Sequence, residues 1–311
     1  MSVAEKRQHP GFYAILVMLI IMAVGPILMM LINSFKLDVD IISGTAGLLF
    51  VPTIQNYETA LCDILPYEPD HLDFCSLKFG GAFINSLIIA LVATLLTLII
   101  GCMAAYALVR FRFMGRDTAS ATTLMVRMVP PAVLLVPVFG LWNNEFCIAK
   151  TSWLGGLIRD NFGGRGDVCL AGTHSGIILI YVAMNLPFVI WILQSFIVQV
   201  PRQLEEAARM DGAGPFQVFF KIVLPLIKPG LAAAAIFTFR IAWNEYLLAS
   251  ALSDRDTKTV PILIVNNMSE FNIEWGVIMA TGMLLAIPPI IFTLFASRQI
   301  ITGMTAGAVK G

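Results

Sequence analysis

Glu206-Ala207-Ala208-Arg209-Met210-Asp211-Gly212, followed by Ile222-Val223-Leu224-Pro225, is a polar island between hydrophobic segments. As a pattern it is E-A-A, three residues, G, nine residues, then I-x-L-P. A simple connection between two membrane spans needs neither a fixed glycine ahead of an isoleucine nor a closing proline. The stretch over about 200–229 reads as a short helix, a hinge and a second short helix lying outside the bilayer. Pro201 sits where a helix begins without wasting an N–H, and Glu205 and Glu206 complement the positive end of its dipole. Asp211-Gly212-Ala213-Gly214-Pro215 then breaks it, because glycine is permissive in φ and proline constrains the residue before it. A loop of this build is shaped to be gripped by another protein.

Composition supplies the setting. The chain is 58% hydrophobic and only 13% charged, whereas soluble domains are about a quarter charged. Twenty basic residues balance 20 acidic ones, so no bulk attraction to nucleic acid is implied. Apolar runs cover about 12–32, 83–109, 118–142, 176–198, 230–252 and 275–297. Each is near the roughly 20 residues that cross a hydrocarbon core of about 30 Å. A soluble protein with six buried helices does not fit this charge content. The first run is long for a signal peptide and lacks a small-x-small cleavage site, so it reads as a retained helix. The expected fold is therefore an all-α integral membrane protein of six transmembrane helices. Residues 1–82 hold the tail, first span and first external loop, and residues 83–311 hold a core of five spans.

Lys and Arg in the connections set the expected orientation. With both termini in the cytoplasm, Lys6, Arg7, Arg110, Arg112, Arg116, Arg202, Arg209, Lys221, Lys228, Arg298 and Lys310 all fall inside. The opposite side has fewer basic residues over longer loops, and it holds Asp63, Glu68, Asp70 and Asp73. The E-A-A loop then lies in the cytoplasm. Of five cysteines, Cys102 lies within a span as a small packing residue. Cys62 and Cys75 share the first outer loop, and Cys147 and Cys169 share the second. Disulfides persist in oxidising compartments. Four cysteines allow three pairings, of which pairing within each loop is the economical one, the alternative being four free thiols.

Gly163-Gly164-Arg165-Gly166 lacks a preceding strand and a Gly-Lys-Ser/Thr ending, so it reads as a turn rather than a phosphate cradle. No G-x-x-x-x-G-K-[S/T] occurs, which excludes P-loop ATP hydrolysis by this chain. If transport is ATP-driven, the motor is another polypeptide. His9, His71 and His174 lie outside the spans and far apart, and no H-E-x-x-H or G-x-S-x-G is present. An intramembrane enzyme is disfavoured on that ground, and no metal or cofactor is expected. A secondary transporter or channel is compatible with the intramembrane charges but leaves the E-A-A loop unexplained.

The E-A-A–G–I-x-L-P loop resembles the cytoplasmic signature of permease subunits of bacterial ABC importers. Asn185-Leu186-Pro187-Phe188, Ala242-Trp243-Asn244-Glu245-Tyr246 and the ending Thr305-Ala306-Gly307-Ala308-Val309-Lys310-Gly311 are similar to the carbohydrate-uptake branch. Within it, the chain resembles the six-span partner of maltose-type systems over about 83–311, with a longer insertion at about 144–173. The resemblance implies a type I importer fold in the bacterial inner membrane. It further implies a second, related permease subunit, two ATP-binding subunits underneath and an external solute-binding protein that delivers a sugar. Glu206, Ala207, Ala208, Asp211, Gly212, Ile222 and Pro225 would couple to the ATPase, with Glu206 and Asp211 meeting basic groups and Gly212 allowing close backbone approach.

Ionisable residues inside spans are costly and usually face a bundle interior or water. Arg127 lies in the third expected span near Pro130-Pro131. Arg240 and Asn244 share a face in the fifth, while Glu245 is turned about 140° from Arg240, so each charge is expected to meet a neighbouring span or subunit. Trp243 and Tyr246 offer flat amphipathic faces suited to sugar rings, and Asn185 and Asn244 offer paired donors and acceptors. Arg127, Asn185, Arg240, Trp243, Asn244 and Glu245 are thus the candidates for a translocation path, with interhelical packing as the competing role.

Overall fold

The computed structural model describes residues 10–44, 47, 49–64, 78–145, 147–148, 168–268 and 273–308. The chain is mostly helical. It opens with α1 (Pro10–Asn33), α2 (Asp38–Ser43), α3 (Gln55–Ala60) and α4 (Phe79–Arg110). Then follow α5 (Arg116–Val126), α6 (Pro131–Gly140) with a π turn at Leu141–Glu145, β1 (Cys147–Ile148) and β2 (Val168–Cys169). Next come α7 (His174–Gln199), α8 (Arg202–Met210) and α9 (Pro215–Leu226), the last with a π turn at Phe219–Val223. The chain finishes with α10 (Lys228–Trp243), α11 (Leu247–Leu252), α12 (Val260–Asn266) and α13 (Trp275–Ala308).

Among the described residues, four helices (α1, α4, α7, α13) are long and apolar enough to cross a membrane, and up to six if each of two bent pairs is one span. Four of the expected spans are therefore single helices. The other two need correction. The run over 118–142 is not one helix: α5 and α6 meet at 98°. Pro131 has no N–H to give and its ring excludes a helical Pro130, which is extended at φ −64, ψ 136. Arg127 accordingly stands at the C-cap of α5, at the bend of this pair, and not in the middle of a continuous helix. The run over 230–252 also breaks, with α10 ending at Trp243 and α11 starting at Leu247. No proline or glycine stands there. Instead Asn244 Nδ2 donates to the Arg240 carbonyl, and the Glu245 carboxylate accepts the N–H groups of Leu248 and Ala249. The Glu245 carboxylate has taken over bonds that a continuing helix would have made to backbone, while the Asn244 side chain adds a second donor to a carbonyl its own N–H already holds. The second bent pair is instead α9 and α10, which meet at 74°.

The chain divides into two compact units. The first comprises Met1–Gly80 and Ile264–Ile287. Its most apolar helix, α1, has none of its apolar window covered by protein, as a helix bathed in lipid requires. Behind α1 a buried polar knot forms around Asn56, whose Nδ2 donates to the carbonyls of Ser34 (2.9 Å) and Lys36 (2.8 Å). Gly276 packs so closely on Asn56 that a Cβ there would stand 2.5 Å from its amide. The Gly276 N–H is in turn taken by Asp38 Oδ1 at 2.7 Å.

The second unit comprises Gly81–Leu263 and Pro288–Gly311. Its core joins Ala105 and Leu108 of α4, Val189, Leu193 and Ile197 of α7, Phe219 and Val223 of α9, and Ala234 of α10. Small residues let these helices approach, the usual device where lipid supplies no hydrophobic drive between helices. A Cβ on Gly101 would lie 2.7 Å from Val189 Cγ1, and one on Gly230 would lie 2.4 Å from Phe196 Cγ. Gly230→Val therefore overpacks the α7–α10 contact, at about 1–3 kcal/mol or more. A lower melting temperature in detergent is expected, and an unchanged one would contradict this packing.

At the far end of α4 and α7 from the E-A-A loop, Asn85 Nδ2 donates to the carbonyls of Asp256 and Lys258, and its Oδ1 meets His174 Nε2 at 2.8 Å. Beside them β1 and β2 pair antiparallel, with Cys147 directly opposite Cys169. Cys62 is disulfide-bonded, Cys75 lies outside the described residues, and Cys102 is a buried free thiol. Two intraloop disulfides, Cys62–Cys75 and Cys147–Cys169, are the expected result of non-reducing peptide mapping. In the chain-entropy model each closes a loop of about 14 or 23 residues and contributes on the order of 3 kcal/mol. Recovering Cys147 and Cys169 as free thiols from membrane-inserted protein would contradict the second pairing.

Candidate functional site

The E-A-A segment begins where α7 stops. Val200 (ψ 117) and Pro201 (ψ 130) are extended, so no helical bond carries α7 into α8. Proline there ends one helix and presets the next. α8 runs nine residues and is strongly two-faced, with Glu205 buried and Glu206 and Ala207 exposed. It closes in a Schellman motif: the Ala213 N–H bonds to the Ala208 carbonyl at 2.9 Å and the Gly212 N–H to the Arg209 carbonyl at 3.0 Å. That motif needs a left-handed residue at Gly212, whose φ is +86. The glycine is thus required by conformation. A Cβ would meet nothing within 4 Å in the chain itself.

α9 then starts at Pro215, with the Gly214 N–H taken by Gln217 Oε1 at 3.2 Å. Its apolar side enters the core through Val218, Phe219 and Val223, while Phe216 and Phe220 stay exposed. Of the motif residues, Glu206, Ala207, Asp211, Gly212 and Pro225 are exposed, and Ala208 and Ile222 are half-buried. The result is two short helices joined by a hydrogen-bonded cap, with most of the motif residues facing outward.

What holds α8 in place is a group the sequence reading passed over. Glu205 Oε1 pairs with Arg110 Nε at 2.5 Å, and Glu205 Oε2 accepts from the Tyr106 hydroxyl at 2.9 Å. Arg110 Nη2 also donates to the carbonyls of Ile197 (3.0 Å) and Val200 (2.8 Å). Both charged side chains are over nine-tenths buried. The reading from sequence gave Glu205 only a dipole role; its phase on α8, about 100° round from the exposed Glu206, was the available signal. Arg116 Nε and Arg202 Nη2 similarly donate to the carbonyls of Leu108 and Val109 at the end of α4. Cations at helix C-termini satisfy orphan carbonyls and oppose the dipole.

The polar residues of the spans fall into two groups. Asn185 is buried, its Nδ2 on the Tyr181 carbonyl at 2.9 Å. Trp243 is 1% exposed and stacks on Phe239. Glu245 accepts from the Tyr181 hydroxyl at 2.7 Å, the neighbouring helix that the helical phase anticipated. These three face inward. Arg127, Arg240 and Asn244 are exposed. The Arg127 guanidinium lies 3.9 Å above the Phe188 ring, which meets Phe237 edge-to-face at 5.8 Å.

The geometry is a bundle of apolar helices of membrane-crossing length that carries a capped, outward-facing helix pair. Residues 97–304 match the model of the binding-protein-dependent transport system inner membrane component family, and the chain belongs to that family. It is a multi-pass inner-membrane protein. It is 38% identical over 236 residues to a trehalose transport system permease protein of Mycobacterium tuberculosis, covering 75% of this chain and 78% of that one. A diacetylchitobiose uptake system permease protein of Streptomyces coelicolor is 31% identical, covering 95% of each chain. A trehalose/maltose transport system permease protein of Thermococcus litoralis is also 31% identical, covering 95% of this chain and 94% of that one. Among solved structures, a bacterial ABC transporter involved in the import of the acidic polysaccharide alginate shares the fold, with TM-score 0.68 and 21% identity over 93% of this chain and 94% of that one.

Proposed function

We propose that this chain is the non-catalytic permease subunit of an ATP-driven importer of a sugar or sugar-like solute. Two ATP-binding subunits would grip the exposed edge of α8 and α9, a second permease would complete the path, and an external binding protein would deliver the solute. The observation that carries the reading is the Schellman-capped α8 with Glu206, Ala207, Asp211 and Gly212 all turned outward. A rigid helix seated in a cleft transmits rigid-body motion, so closure of the motors swings the spans between inward- and outward-facing states. The names of the curated relatives support a sugar, since several are permeases for trehalose, maltose or diacetylchitobiose. In this reading the termini and the E-A-A loop are cytoplasmic, and residues 83–311 form the working core.

Arg127, Arg240 and Asn244 are the residues of the proposed path that remain exposed. Intramembrane arginines do not face lipid, so this side turns toward a water-filled path or the companion permease. Asn185, Trp243 and Glu245 would shape that path from behind. Purification of the tagged chain from its own membranes tests the reading: an ATPase is expected to accompany it in stable ratio. Solute transport by the chain with no ATPase attached would favour a self-contained carrier and overturn the proposal.

A further inference from the structure

We propose that Arg110 and Glu205 are a positioning pair that locks the joint between α7 and α8, so that a push on the coupling helix reaches the spans undiminished. The inference rests on the coupling role proposed above. The joint is the weak point of the transmission. Val200 and Pro201 are extended, and the first N–H groups of α8 have no partner across them in α7. Left alone, such a link rocks, and a rocking link absorbs displacement.

Arg110 straddles it. One guanidinium nitrogen holds the carbonyls of Ile197 and Val200 on the α7 side, and another holds Glu205 on the α8 side. The arginine is itself the last residue of α4. One side chain therefore ties the ends of three helices together. Tyr106, one turn back on α4, fixes the second carboxylate oxygen, leaving Glu205 little freedom to swing. A planar guanidinium suits this task because its donors diverge in a fixed fork; a lysine would offer a point charge on a flexible stem. Burial makes the arrangement unforgiving, since removing one charge leaves the other without its partner in a poorly solvated site. Exposed Glu206, on the next position of the same helix, has no such constraint.

The test uses the complete importer in proteoliposomes, with Glu205→Gln, Glu205→Asp and Arg110→Lys. Gln keeps the shape of Glu and still accepts a hydrogen bond, so the variant is expected to assemble with its ATPase subunits. Solute imported per ATP hydrolysed is expected to fall about tenfold or more in Glu205→Gln and Arg110→Lys, and to recover partly in Glu205→Asp, which keeps the charge. A second readout does not depend on turnover. Spin labels at the exposed positions Gln203 and Met103 report the distance between α8 and α4. In the wild-type complex that distance is expected to be the same in nucleotide-free and ATP-trapped states, and to broaden in Glu205→Gln. Wild-type import per ATP in assembled Glu205→Gln, or a distance that already changes between states in the wild type, would overturn the pair's role. A wild-type chain that engages no ATPase at all would remove the coupling reading beneath it, and that outcome is visible before any variant is made.

Discussion

Gly212→Glu is expected to leave the protein in the membrane and to abolish ATP-driven uptake. The residue stands at φ +86 as the left-handed member of a Schellman motif. A non-glycine residue there costs about 1–2 kcal/mol. That strain is too small to unfold the protein, and the open space around the position gives a side chain no internal clash. It is enough to loosen the cap that sets the angle between α8 and α9. Glu then adds bulk and negative charge on the exposed edge where a partner backbone is to approach. Gly212→Ala should lose several-fold in uptake, because the conformation and not only the space demands glycine. Gly212→Asn should be milder than Ala, since Asn tolerates the left-handed region. Glu206→Ala should have the smallest effect, as one exposed ion pair is worth about 1 kcal/mol or less. Uptake and ATPase stimulation, measured at equal membrane content, check the series; wild-type transport by Gly212→Glu with its motor attached would remove this loop from the coupling path.

Glu245→Ala is expected to destabilise the bundle by at least about 3 kcal/mol, since each charge-assisted bond lost is worth roughly 1.5–3 kcal/mol and water entering the site recovers part of the sum. Its carboxylate accepts three bonds: the Tyr181 hydroxyl at 2.7 Å, the Leu248 N–H at 2.9 Å and the Ala249 N–H at 3.0 Å. It therefore both starts α11 and ties the helix break to α7. A melting-temperature drop on the order of 5–10 °C in detergent should follow. Tyr181→Phe should show a smaller drop, and the double variant less than the sum, because the two residues share one interaction. The apparent KM for solute should stay at its wild-type value in whatever protein remains folded. A raised KM with unchanged melting would instead make Glu245 a solute contact.

The apolar runs that became α1, α4, α7 and α13 were legible because length and lack of charge alone specify a spanning helix. The two that broke needed local chemistry. At Pro130-Pro131 the missing N–H and the constraint on the preceding residue outweigh the apolar length of the run. The break at 244–246 carries no proline or glycine and arises from Asn244 and Glu245 bonding to backbone, which becomes evident only once Tyr181 is seen to hold the carboxylate. In the E-A-A loop, the turn at Gly212 followed from residue type. The Arg110–Glu205 pair did not, since its members lie 95 positions apart and no helical period links them. Three arginines counted toward orientation, Arg110, Arg116 and Arg202, also close the C-terminal ends of α4 and α7. A basic residue at a span's end can therefore have a structural reason that charge counting alone does not reveal.

The most direct test is reconstitution of this chain with its companion permease and ATPase subunits in proteoliposomes, supplied with the external binding protein and a panel of labelled di- and oligosaccharides. Accumulation of at least one sugar is predicted, dependent on both ATP and the binding protein, and lost when the ATPase subunits are omitted. Accumulation that persists without the ATPase, driven by an ion gradient alone, would contradict the account.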